Sequence, residues 1–105
     1  MNIQINTDKN LTIHAEYQNQ IEEQLTSALA RFEDHISSVQ VHLSDENGNK
    51  DGQNDKKCVI EAHLKGKPAV IGTTFGETYD LAITGALTKL KNALTTIDGK
   101  MKAHH

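Results

Sequence analysis

Residues 2–6 alternate Asn2, Ile3, Gln4, Ile5 and Asn6, the two-residue period of a short strand. After a polar turn over Thr7 to Asn10 the period changes. Tyr17, Ile21, Leu25, Ala28, Leu29 and Phe32 recur at helical spacing and predict an amphipathic helix near 15–34. Its other faces carry Glu16, Glu22, Glu23 and Glu33, an acidic solvated surface. Val39, Val41 and Leu43 then alternate with Gln40, His42 and Ser44, as in a strand buried on one side. Positions 45–55 hold no apolar residue and predict a solvated hairpin loop of unusual length. Cys58, Ile60, Ala62 and Leu64 share one face of a third strand. Lys65-Gly66-Lys67-Pro68 turns the chain into a fourth strand near 69–75. Two inward faces remain open for that strand, Val70/Gly72/Thr74 and Ala69/Ile71/Thr73. Tyr79, Ile83, Ala86, Leu87, Leu90, Leu94 and Ile97 mark the buried stripe of a final helix, with Gly99 as its expected stop.

The predicted fold is α+β, in the order β-α-β-β-β-α. Each helix has one apolar stripe and each strand one apolar face. Two helices packed on one face of a four-stranded sheet bury all of them. The helical crossover makes the first two strands parallel neighbours, and the remaining pairs are expected to be antiparallel. A chain of 105 residues makes one domain, 1–105, with an aliphatic core, since it has two Phe, two Tyr and no Trp.

No apolar run approaches the ~20 residues that cross a bilayer, and the first residues do not resemble a signal peptide. Cys58 has no second cysteine to pair with. A cytoplasmic protein without a membrane partner is expected.

The polar residues offer little chemistry. Asp45, Asn47, Asn49 and Asp51 repeat at every second position, as at the start of an EF-hand calcium loop. The positions that need Gly and Glu are Lys50 and Lys56 instead, so a flexible polar loop is the simpler reading. The histidines 14, 35, 42, 63, 104 and 105 lack HExxH spacing. His42 and His63 fall on one sheet face without standing opposite each other. Asp34-His35 and Glu61/His63 are the chance neighbours of a chain with fourteen carboxylates and six histidines. With no nucleophile motif or phosphate loop, neither an enzyme nor a small-molecule substrate is expected, and no cofactor is implied.

Charge changes this picture. Residues 1–55 carry Lys9, Arg31 and Lys50 against ten carboxylates, a net of −7, and residues 56–105 carry eight lysines against four carboxylates, a net of +4. Polyanion binding depends on a local positive face rather than on the total of −3. At ~100° per residue, Lys89 and Lys100 fall on one flank of the final helix's apolar stripe, and Lys91 and Lys102 on the other. The partners in each pair stand ~16 Å apart along the axis, provided the helix passes Gly99. Lys65 and Lys67 occupy the hairpin between strands three and four. These six lysines are the candidate RNA-binding residues. Snorkelling lysines beside a buried stripe are the plainer alternative.

The chain resembles the hibernation-promoting factor and ribosome-associated inhibitor family in its short form, over essentially its whole length. The resemblance lies in the element order and in Met1-Asn2-Ile3-Gln4-Ile5, Val39-Gln40-Val41-His42-Leu43 and the final helix. There, Thr78-Tyr79-Asp80-Leu81-Ala82-Ile83 precedes Lys89-Leu90-Lys91 and Lys100-Met101-Lys102. It implies a sheet-and-helix fold similar in shape to double-stranded RNA-binding domains. It also implies a non-enzymatic translation inhibitor that binds the small ribosomal subunit near the decoding region and acts by steric occlusion. By the same resemblance, Lys89, Lys100 and Lys102 match positions that contact ribosomal RNA. The alternative is a protein-interaction module of the same fold with little RNA affinity, using the acidic first helix or loop 45–55. A small enzyme or calcium binder built on that loop comes third.

Overall fold

The structure is a computed structural model that describes residues 1–8, 13–45 and 55–102, with 98–102 as helix backbone only. Loop 46–54, on which the calcium reading falls, and His104 and His105 lie outside the described residues.

Four strands form one sheet in the order β1-β2-β3-β4: Asn2–Thr7, Ile36–Asp45, Lys56–Leu64 and Val70–Gly76. β1 pairs parallel with β2, while β2–β3 and β3–β4 are antiparallel. The parallel pair follows from the helical crossover between its strands. Helix α1, Ala15–Ala28, lies in that crossover, and α2, Tyr79–Lys102, follows β4.

The registers align Ile3–Val39–Ala62–Val70 and Ile5–Val41–Ile60–Gly72 across the sheet. These residues face the helices and close a core with Ile21, Leu25 and Leu29 of α1 and Ile83, Ala86, Leu90 and Leu94 of α2. Among the described residues, the opposite face, with Gln4, Gln40, His42, Glu61, His63, Ile71, Thr73 and Phe75, carries no helix. His42 stands opposite Val59 and His63 opposite Ser38, so both histidines occupy the open face at separate levels. His63 Nε2 instead reaches Glu61 Oε2 at 3.6 Å.

Two expectations change and one open choice is resolved. The helix predicted over 15–34 divides: α1 stops at Ala28, and Ala30–His35 wind as a 3₁₀ helix. The Phe32 amide donates to Leu29 O at 2.9 Å. A period of three keeps Leu29 and Phe32 on one side, and the larger rise of ~2.0 Å per residue carries the chain to β2 while both stay buried. The undecided inward face of β4 is Val70/Gly72/Thr74, with Gly76 continuing it. The final helix does not stop at Gly99 but runs to Lys102, since a helical glycine costs only about 1 kcal/mol against alanine.

The inward face of β4 is nearly flat, and α2 lies directly against it. A Cβ added at Gly72 would stand 2.5 Å from Ala86 O and 3.1 Å from Leu90 N. From the helix side, a Cβ at Gly85 would meet Thr74 Oγ1 at 2.9 Å. Thr74 Oγ1 donates to Ala82 O at 2.8 Å across this seam. Thr78 stands just before α2, and its hydroxyl accepts the Leu81 amide at 3.2 Å, the usual capping bond of a helix start.

Cys58 is fully buried in the core, and burial pushes its thiol up to about 12. A thiol of this kind is inert in the native fold. The aromatic disulfide reagent DTNB at pH 8 is therefore expected to leave Cys58 untouched until denaturant is added. Stoichiometric reaction of the native protein, read as absorbance, would contradict its burial.

Candidate nucleic-acid interface

The two helices run side by side in the same direction. The Tyr17 hydroxyl donates to Asp80 Oδ1 at 2.5 Å, and Gln24 Nε2 to Thr84 Oγ1 at 3.4 Å. Burial and this bond to a carboxylate push the Tyr17 phenol well above its ordinary range. The contacts fix the rotation of α2 about its axis, and so decide where its lysines point.

Lys89 and Lys91 leave α2 on opposite flanks of the buried Leu90, as the wheel predicted. Lys89 turns toward β4, where its Nζ donates to Thr73 O at 3.1 Å. Lys91 lies one heptad after Thr84 and so on the flank next to α1. Because the helix continues through Gly99, position 100 lies on the Lys89 flank and position 102 on the Lys91 flank, ~16 Å farther along the axis.

Lys65 and Lys67 are exposed on the turn that joins β3 to β4. Gly66 adopts φ +70°, a left-handed conformation that glycine enters without the Cβ penalty, and this reverses the chain in a short span. The Lys65 amide donates to His35 O at 3.0 Å and ties the turn to the end of the 3₁₀ helix. Both lysines border a small hollow floored by Phe32, Leu64, Leu94 and Ile97. The hairpin lysines thus stand beside the second half of α2. Sequence reasoning had placed them on separate elements and had missed His35, which lines the same hollow. Its contribution could not be read from spacing, since it depends on how the 3₁₀ helix meets the turn.

Pairing divides the lysines into two kinds. At the far end of the sheet, Lys56 Nζ lies 3.0 Å from Asp45 Oδ2 and 3.4 Å from Asp55 Oδ1, and 5.9 Å from the centre of the Tyr79 ring. These carboxylates hold its ammonium above its ordinary range, with the Asp45 hydrogen bond contributing most. By contrast, Lys65, Lys67, Lys89 and Lys91 have no carboxylate partner among the described residues. A lysine with no internal carboxylate can meet a phosphate without first breaking an ion pair.

A small α+β domain with one helix layer, one open sheet face and unpaired lysines along its last helix is defined by these features. The chain belongs to the family described as sigma 54 modulation protein / S30EA ribosomal protein, whose profile matches residues 3–102. It is a family of ribosome-associated factors. Two solved structures share the fold. The N-terminal domain of Protein Y from Thermus thermophilus superposes with a TM-score of 0.72 at 22% identity, covering 92% of this chain and 99% of that one. A ribosomal subunit interface protein from Coxiella burnetii gives a TM-score of 0.67 at 16% identity, covering 94% and 99%. No curated protein matches the chain.

Proposed function

We propose that this protein is a cytoplasmic hibernation factor that binds the small ribosomal subunit near the decoding region and silences it by occupying the path of messenger and transfer RNA. The observation that carries this reading is the set of lysines without carboxylate partners on α2 and the β3–β4 turn, in a chain of a ribosome-associated family. Lys89, Lys91, Lys65 and Lys67, with positions 100 and 102 beyond them, hold phosphates of ribosomal RNA. The acidic first half of the chain keeps non-specific affinity for other nucleic acids low. Binding by phosphate contacts needs no cofactor and no bond-making step, and the packed domain itself is the obstacle.

The reading is tested by competition on purified small subunits. Pre-bound protein is expected to block binding of a labelled messenger fragment and of initiator transfer RNA in a saturable manner. Full binding of both RNAs on subunits saturated with the protein would rule out occlusion.

A further inference from the structure

Among the described residues, the large apolar side chains left exposed are Ile71, Phe75 and Leu81, at 56%, 50% and 58%. All three border one edge of the sheet. Ile71 and Phe75 project from the open face of β4. Leu81 leaves α2 where that helix passes under the strand, and a Cβ at Gly76 would stand 3.0 Å from Leu81 Cβ. Lys57 Nζ lies 5.7 Å from the centre of the Phe75 ring and adds a cation beside the apolar pair.

The same edge offers main-chain groups. β4 ends the strand order, so among the described residues one side of it meets no strand. Thr73 O is turned to that side, because Lys89 reaches it from α2. In an antiparallel ladder both polar groups of a residue point the same way, and the direction alternates along the strand. Ile71, Thr73 and Phe75 therefore direct their N–H and C=O groups outward, while Gly72 and Thr74 direct theirs to β3. An edge of this kind is a template for one more strand.

The occupant is constrained by α2. A second copy pairing β4 antiparallel to β4, with both helices under the same face, would set the strands ~4.8 Å apart. Each α2 backbone lies directly beneath its own Gly72, so the two helices would also be driven far inside the 8–10 Å at which helices pack. A lone extended peptide has no such helix. Nucleic acid has no alternating N–H and C=O groups to match the edge. Lys89, on the helix side of this edge, favours carboxylates on the incoming segment.

We infer that the β4 edge takes up an extended peptide rich in alternating apolar and acidic residues as a fifth strand of the sheet. Its apolar residues lie on Ile71 and Phe75. Its acidic residues face Lys89, whose ammonium yields the Thr73 carbonyl to a peptide N–H.

The test uses a fluorescent, end-blocked octapeptide, Thr-Glu-Ile-Glu-Ile-Glu-Ile-Thr, titrated into the full chain with amide NMR as a second readout. Saturable binding is expected, with shifts centred on residues 71–75 and slowed exchange of the Ile71, Thr73 and Phe75 amides. Thr73→Pro removes an outward N–H that β3 does not use, so the fold tolerates it. It is expected to weaken binding at least about tenfold. Should that variant fail to fold, Phe75→Ser serves in its place and is expected to weaken binding likewise. Absence of saturable binding, shifts elsewhere, or equal binding by a folded Thr73→Pro protein would overturn the inference. Shifts at Lys57 and Phe75 with an oligouridylate but none with the peptide would also overturn it, and would make this face a base-stacking surface.

Discussion

Gly72→Ala is expected to lower the melting temperature of the domain by roughly 5–25 °C, since among the described glycines it is the one where an added Cβ meets the tightest contact. The added carbon would stand 2.5 Å from the Ala86 carbonyl oxygen and 3.1 Å from the Leu90 amide nitrogen, both main-chain atoms of α2. Side-chain rotation cannot relieve such a contact, so the helix and strand must separate. Overpacking of this kind costs about 1–3 kcal/mol, and each kcal/mol shifts the midpoint of a domain near this size by about 4–8 °C. Ala86→Gly should fail to restore stability, because the obstacle is the carbonyl and not the alanine methyl. Thermal unfolding followed by circular dichroism checks both statements. A Gly72→Ala protein melting within a degree or two of the parent would show that α2 does not lie against β4 as described.

The second large effect concerns binding. Lys89→Ala, Lys100→Ala and Lys102→Ala together are expected to reduce affinity for the small subunit by about two orders of magnitude at moderate salt. The slope of log affinity against log salt is expected to flatten by about two to three. Each lysine that neutralises a phosphate releases counterions, so affinity and slope must fall together. Lys56→Ala supplies the contrast. Its ammonium is already engaged by Asp45 and Asp55, so its loss should leave both quantities nearly unchanged. If the triple variant keeps the parent's salt slope, those lysines are solvated surface and the contacts lie elsewhere.

Most of the fold was legible because the apolar periods switch cleanly between two and 3.6 along the chain. Ile3/Ile5, Val39/Val41/Leu43 and Cys58/Ile60/Ala62/Leu64 each mark one face, and the registers place those faces together. The parallel β1–β2 pair followed from the helical crossover. β4 was ambiguous because its inward residues are small, and hydrophobicity carries no signal at Gly72 or Gly76. The signal that was present is complementary smallness. Gly72 and Gly76 recur four apart on one strand face, and Ala82, Gly85 and Ala86 form a small surface on the helix that follows. Such a pair of flat surfaces predicts close approach of helix and sheet. The break at Leu29 was hidden because residues three apart share a side in both α and 3₁₀ winding, so Leu29 and Phe32 fit either. Gly99 illustrates the opposite error. A glycine near a helix end reads as a stop, although the backbone continues to Lys102 at modest cost.

The candidate site was legible one element at a time. Helical spacing alone placed Lys89 and Lys91 on opposite flanks. The assembly of the hairpin lysines with the second half of α2 was not legible, since it depends on the Lys65–His35 main-chain bond and the hollow over Leu94 and Ile97. Nor could sequence separate paired from unpaired lysines. Asp55 precedes Lys56 along the chain, but the closer partner, Asp45, is brought to it only by the sheet register that sets Asp45 opposite Lys56.

Co-sedimentation of the purified protein with separated ribosomal subunits across a salt series tests the central claim most directly. Saturable binding to the small subunit, near one copy per subunit and weakening steadily with salt, is the predicted result. No binding to the small subunit even at low salt, or equal binding to both subunits, would contradict it.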